Sequence, residues 1–333
     1  MKAPRFWSNP PGRPGLAAHL LASGSVFWRF GAALRAIWSK PKTAPVPVLC
    51  VGNLVAGGAG KTPMVAALAG RLAAKGCSPA IVTRGHGGRI TGPHRVDLAH
   101  DTFADVGDEP LVLAATTPVW VSRDRAAGAV AAAEDGADIV LLDDGFQNPG
   151  LVKDASLLMI DAATGFGNGR VIPAGPLREP VRDGLARADA AVLVGAQSAA
   201  DRTLALWPDL KALPLIRARM QPVQTGLSLS HEPVVAFAGI GRPEKFFTTL
   251  REMGADLVET HGFPDHHVYP AAILKRLIHT ARQRDAMLVT TEKDAVRLPP
   301  AFRREVMVVQ VTLELDDWTG VDAILDRLCR ISP

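Results

Sequence analysis

Val46-Pro47-Val48-Leu49-Cys50-Val51-Gly52-Asn53-Leu54-Val55-Ala56-Gly57-Gly58-Ala59-Gly60-Lys61-Thr62-Pro63 opens on an apolar run, crosses a glycine-rich loop and enters an amphipathic stretch that reaches Lys75 and stops at Gly76. The order predicts strand, tight loop, helix. Glycines at 57, 58 and 60 let the backbone turn its N–H groups toward phosphate oxygens, and the helix amino terminus adds a favourable dipole. In this frame Lys61 reaches the β and γ phosphates of a nucleotide and Thr62 offers a hydroxyl to Mg²⁺. The loop departs from both common forms of the motif. Val55 stands where G-x-x-x-x-G-K-[ST] begins with glycine, and Ala56 stands where the variant G-G-x-G-K-T form carries a leading lysine.

Outward from this loop, short apolar runs alternate with helical patterns: Val46 to Val51, Ala80 to Thr83, Val119 to Ser122, Ile139 to Leu142, Leu157 to Ile160 and Ala191 to Val194. Strand and helix in alternation imply an α/β fold with a mostly parallel sheet and helices on both faces, as in P-loop nucleotide-binding domains. Pro47 is compatible only with the start of its strand. The pattern loosens through Pro208, Pro214, Pro222 and Gly226, and a second series starts at Val234. It reads as strand 234–238, helices near 243–253 and 270–283, strands 287–291 and 306–311, and a final helix 320–329. The expected organisation is an amino-terminal segment 1–43, a core 44–200, a linker 201–233 and a smaller α/β domain 234–333. At 333 residues, two cores are expected.

Charge is unevenly spread. The net charge is +4, yet the first acidic residue is Asp97, and residues 1–96 hold 13 of the 37 Lys and Arg, leaving 24 basic against 33 acidic residues beyond. The amino-terminal part therefore faces something anionic: nucleotide phosphates, a membrane surface or nucleic acid. Phe27, Phe30, Leu34, Ile37 and Trp38 share one helical face, flanked by Arg29, Arg35, Lys40 and Lys42. That pattern suits a helix lying in a membrane interface, and equally a helix docked on the protein's own core. The absence of acidic residues favours the membrane surface. With His19, Arg29 and Arg35 inside it, the stretch 16–38 is not expected to span a bilayer. A secretory signal is not expected either, since export would part the loop from cytoplasmic ATP. Cys50, Cys77 and Cys329 form no zinc or disulfide pattern, and Cys50 is expected in the core.

A Mg²⁺-binding carboxylate is expected at the end of another strand, and Ile139-Val140-Leu141-Leu142-Asp143-Asp144 provides it. Asp143 is the first choice and Asp144 the second; either could instead cap the turn into Gly145-Phe146-Gln147.

Further stretches make the pattern specific: Arg84-Gly85-His86-Gly87-Gly88, Val106-Gly107-Asp108-Glu109-Pro110, Gly167-Asn168-Gly169, and Pro173-Ala174-Gly175-Pro176-Leu177-Arg178-Glu179-Pro180. Together with the loop, the Asp143-to-Gln147 segment, Phe263-Pro264-Asp265-His266-His267 and Thr291-Glu292-Lys293-Asp294, the chain resembles the tetraacyldisaccharide 4'-kinase family over most of its length. The resemblance implies transfer of the ATP γ-phosphoryl group to the 4'-hydroxyl of an acylated glucosamine disaccharide 1-phosphate, with Mg²⁺. It implies peripheral attachment to the cytoplasmic face of the bacterial inner membrane, and an active site between two α/β/α domains. It also implies Asp108 as the base and His266 as its partner. Glu109 could exchange roles with Asp108, and His261 and His267 stand close to His266 in sequence. Arg178, in a loop stiffened by proline and glycine, suits a substrate phosphate, and Arg84 and Arg123 follow predicted strands. Each arginine could equally be a solvated surface charge.

Two other classes fare worse. A P-loop GTPase carries an N-K-x-D segment, and here Lys293 and Asp294 are adjacent. A nucleic-acid binder fits the basic balance, but no module for that purpose is recognisable.

Overall fold

The computed structural model of the chain describes residues 3–223 and 228–331. Its strands are β1 (Val48–Gly52), β2 (Pro79–Thr83), β3 (His94–Arg95), β4 (Val119–Val121), β5 (Ile139–Asp143), β6 (Ala155–Asp161), β7 (Ala190–Val194), β8 (Leu215–Pro222), β9 (Pro233–Ala238), β10 (Asp256–Gly262), β11 (Met287–Thr291), β12 (Met307–Val309) and β13 (Val311–Leu315). Among the described residues they form a nine-stranded sheet, ordered β13-β8-β7-β6-β1-β5-β2-β4-β3, and a four-stranded sheet, ordered β10-β9-β11-β12. Strands β8 through β4 of the larger sheet run parallel, and β13 and β3 close its two edges antiparallel. The smaller sheet is parallel throughout.

The predicted α/β class follows from the side-chain alternation. Leu49 and Val51 of β1 enter a core on one face with Met64, Leu68 and Leu72 of the helix Lys61–Ala74. Val48 and Cys50 enter the opposite core with Ala126, Ala129 and Ala132 of the helix Arg125–Glu134. A parallel strand covered on both sides reads as a continuous apolar run, which is why β1 shows no polar alternation. Pro47 lies just before β1, where its missing N–H costs no ladder bond. Cys50 is fully buried as a small hydrophobe.

Two parts of the expected organisation need correction. The stretch 201–233, expected as a linker, carries β8, which lies beside β7 in the larger sheet; of that stretch, 224–227, including Gly226, lie outside the described residues. The carboxy-terminal part of 234–333 also leaves the smaller unit. β13 pairs with β8, and Val321, Leu325 and Leu328 of the helix Thr319–Ile331 pack in the same core as Leu68 and Leu72. Arg71 and Lys75 meet Asp322 and Asp326 across that contact. An amphipathic helix carries the same apolar stripe whichever sheet it covers, so its pattern did not say which one it joins.

The helix Ala22–Trp38 forms as expected, with no buried residue of its own. Its apolar face is open: Phe27 is 76%, Phe30 62%, Ile37 74% and Trp38 77% exposed, whereas Leu34 is half-buried. The other edge is tethered, with Ser25 Oγ donating to Val171 O at 2.7 Å and Trp28 Nε1 to Arg178 O at 2.9 Å. No helix among the described residues is long and apolar enough to cross a membrane.

Candidate active site

The carboxyl ends of β1, β5, β2 and β6 point the same way, and the residues singled out by sequence gather there, as ligand sites do in open α/β sheets. Gly57 and Gly60 both have positive φ, and Gly60 at +78° delivers the chain into the helix that starts at Lys61. Val55 and Ala56 are explained by pairing. Val55 forms an antiparallel bridge with Leu177, Ala56 N donates to Pro176 O at 2.8 Å, and Arg178 N donates to Leu54 O at 2.7 Å. The start of the loop is thus a short strand-like segment laid against 176–178, where a side chain is welcome and glycine has no advantage. Asn53, buried and absent from the expected residues, stitches the loop together: Nδ2 donates to Val55 O at 2.8 Å and Gly57 O at 3.0 Å, and Oδ1 accepts from Lys61 Nζ at 3.2 Å. Its one sequence signal is position, directly after a strand and before the glycines.

Asp143 ends β5 fully buried, and its Oδ1 has no hydrogen-bond partner. Burial, aided by the charge of Glu109 and opposed by Lys61, pushes its carboxyl up to about 7. A divalent cation relieves this kind of buried carboxylate. Among the described residues no group of three His, Cys, Asp or Glu could hold a metal by itself. Asp144, at positive φ, is otherwise engaged: Arg178 meets it with Nη1 at 2.9 Å and Nη2 at 3.2 Å, and Lys61 Nζ lies 3.7 Å from it. Arg178 therefore spends its fork on Asp144 and on Gln147 Oε1, at 3.1 Å. Arg84 is exposed just beyond β2.

Asp108 is the first residue of the helix Asp108–Ala114 and is 3% exposed. Gly107 before it has φ +92°, and a Cβ there would stand 2.6 Å from His86 O. Cβ atoms at Gly85 and Gly88 would likewise meet Val106 O at 2.7 Å and Asp105 O at 2.6 Å. The 84–88 segment is thus a glycine cradle on which the approach to Asp108 rests. The smaller unit completes the site. His266 Nδ1 lies 3.0 Å from Asp108 Oδ2, and Arg297 binds the same oxygen through Nε at 2.9 Å and through Nη2. Lys293 pairs with Glu109. Burial alone raises the Asp108 carboxyl, but the His266 hydrogen bond and Arg297 outweigh it and hold it well below the usual range. The same hydrogen bond raises His266, against its burial. His261 pairs with Glu259, and His267 stacks on Phe263, so His266 is the one of the three that meets Asp108. Arg297 was not foreseen; its only signal is its place three residues after Thr291-Glu292-Lys293-Asp294.

On the other side of the loop, Arg242 and Lys245 reach back to Asp161 at the end of β6, at 2.9 and 2.7 Å. Arg242 also lines a cavity with Asn53, Gly57, Gly58, Ala59 and Gly165. Two sets of ion pairs between the units therefore flank the phosphate loop.

Comparison with known proteins agrees with this arrangement. The sequence model for the family described as tetraacyldisaccharide-1-P 4'-kinase matches residues 17–330. The chain is 52% identical over 331 residues to a tetraacyldisaccharide 4'-kinase of Rhodospirillum centenum, covering 98% of this chain and 97% of that one. It is 51% identical over 328 residues to one from Jannaschia sp., covering 98% and 99%. A crystal structure of the "apo" form of LpxK from Aquifex aeolicus in complex with ATP superimposes with a TM-score of 0.72 at 26% identity, covering 93% of this chain and 99% of that one. With the family pattern running almost end to end, and a phosphate loop, a buried carboxylate and an Asp–His pair where its fold brings them together, the chain belongs to the tetraacyldisaccharide-1-P 4'-kinase family.

Proposed function

We propose that this chain moves the γ-phosphoryl group of ATP to the 4'-hydroxyl of a tetraacyldisaccharide 1-phosphate, with Asp108 as the base. The observation that carries the reading is the Asp108–His266 contact of 3.0 Å, made between units and next to Glu109, whose charge acts with that of Lys61 on Asp143. A sugar hydroxyl is a poor nucleophile at neutral pH, and a carboxylate that accepts its proton as the oxygen attacks the γ phosphorus removes that difficulty. The P–O bond to the β-phosphate breaks, and ADP leaves. The protein's task is to position the partners and offset charge. Lys61 serves the β and γ phosphates, and the loop from Gly57 to Thr62 supplies N–H groups, the Ala56 N–H being taken by Pro176 O. Thr62 and Asp143 are the residues that would hold Mg²⁺, with Asp144 the second carboxylate, and the ion would offset phosphate charge there. Glu109 and Arg84 are assigned to the acceptor side; Arg178, whose fork is taken by Asp144 and Gln147, is not.

Transfer of label from ATP to tetraacylated disaccharide 1-phosphate tests this directly. Wild type makes the phosphorylated lipid, and Lys61→Ala and Asp108→Ala do not. Nucleotide hydrolysis by wild type with no lipid product would sink the reading.

The exposed Phe27, Phe30, Ile37 and Trp38 together with the acid-free first 96 residues support peripheral attachment to an anionic membrane, at the cytoplasmic face of the inner membrane where ATP is available. Phe27→Ser with Trp38→Ser leaves the Ser25 and Trp28 tethers in place. Binding to vesicles containing anionic lipid should fall, and unchanged binding would count against attachment.

A further inference from the structure

The two oxygens of Asp108 are unlike. Oδ1 accepts one backbone N–H, that of Glu109 at 2.9 Å. Oδ2 is met from the smaller unit alone, by His266 Nδ1 and by two nitrogens of Arg297. Arg297 is in turn anchored on its far edge, where Nη1 donates to Gly239 O at 2.7 Å and Asp294 Oδ1 at 3.2 Å. Asp294 is wholly buried and accepts from Gly239 N at 2.9 Å, Tyr269 OH at 2.7 Å and Thr291 Oγ1 at 2.6 Å. One guanidinium, 1% exposed, thus stands between two buried carboxylates. Only a planar cation with several fixed donors satisfies both at once. The two carboxylates exceed its charge by one, and a protonated His266 restores balance.

We propose that Arg297 is a positioning residue for Asp108: it holds Oδ2 from the smaller unit, so that Oδ1 is the oxygen left to take the proton of the sugar hydroxyl. Rested on the reading of Asp108 as the base, this makes the base's geometry depend on both units being in register. Sequence separations of 158 residues to His266 and 189 to Arg297 mean that no local folding of 106–110 can supply it. The other titratable groups around the site are Glu109 on Asp108's own helix, Lys293 paired with Glu109, Asp294 behind Arg297, Asp265 beside His266 at 3.9 Å, and His86, whose ring lies 5.5 Å from that of His266.

The test is phosphoryl transfer to the tetraacylated disaccharide 1-phosphate between about pH 5 and 9 for wild type, Arg297→Lys, Arg297→Gln and Asp108→Asn, with ATP binding measured separately. Lysine keeps the charge and loses the fork, so Arg297→Lys should lower kcat about 10-fold while ATP binding stays within about 2-fold. Arg297→Gln loses the charge as well: kcat should fall about 100-fold, with ATP binding still within about 2-fold. Wild-type kcat in both variants overturns the proposal, as does lowered thermal stability with unchanged kinetics, which marks Arg297 as structural only. Should Arg297→Gln not fold, Arg297→Lys decides alone through its kcat. A folded Asp108→Asn that retains the wild-type rate instead removes the base assignment, a failure distinct from full activity in the Arg297 variants alone.

Discussion

The phosphate loop and the Asp108 junction serve the same site and are built in opposite ways. The loop is contiguous: β1, Asn53, the glycines, Lys61 and Thr62 lie within 15 consecutive residues from Val48 to Thr62, and its internal bonds run from Asn53 to Val55, Gly57 and Lys61. The junction takes Asp108 from the larger unit and His266 and Arg297 from the smaller one. A local device keeps its shape wherever its strand and helix form. One assembled across two units works only when both are docked. Nucleotide binding and proton removal should therefore separate under mutation.

The sharpest separation is Asp108→Asn. It removes the proposed proton acceptor while sparing the loop, and should cost about 10²- to 10⁴-fold in phosphoryl transfer with ATP binding retained, measured by turnover beside equilibrium binding. Loss of ATP binding in that variant would erase the distinction. Next is Lys61→Ala, which should cost about 10²- to 10³-fold and weaken ATP binding too, because the proposal gives the lysine to bound and transferring phosphates alike. A smaller effect comes from pH. His266 is raised in the folded state by its bond to Asp108, so its stabilisation is fully present below the unfolded value of about 6.5 and is lost as pH rises through the folded value. The gap in melting temperature between wild type and His266→Ala should therefore narrow as pH rises above about 6.5; a gap that widens would contradict the pairing. Smallest is Lys245→Ala on the opposite flank. Lys245 is 58% exposed and Arg242 still holds Asp161, so the loss should be below about 1 kcal/mol by denaturant unfolding.

Legibility in the sequence followed the same division. Continuous apolar runs marked β1, β2, β5, β6 and β7 because a parallel strand buried on both faces admits little else. β10 escaped notice, since Asp256-Leu257-Val258-Glu259-Thr260-His261-Gly262 is an edge strand with half-buried and exposed positions and no apolar run. Asp108 was named through the motif around it, whereas its place at a helix start depends on Gly107 and on the glycines of 84–88, whose crowding appears only when the two segments are apposed. Arg178 looked like a free phosphate ligand because no local feature announces that Asp144, 34 residues away, takes both arms of its fork.

By itself the sequence determined the α/β class, the strand–loop–helix at Gly57 to Thr62 and the amphipathic pattern of the helix Ala22–Trp38, because each is decided by backbone preference and periodicity within about 20 residues. The tertiary structure alone decided that β13 and the last helix return to the larger sheet, that Asp144 takes the fork of Arg178, and that Arg297 joins Asp108 and His266. Those outcomes turn on which surfaces dock and which buried charges find partners, and a charge far along the chain carries no mark of the partner it will meet.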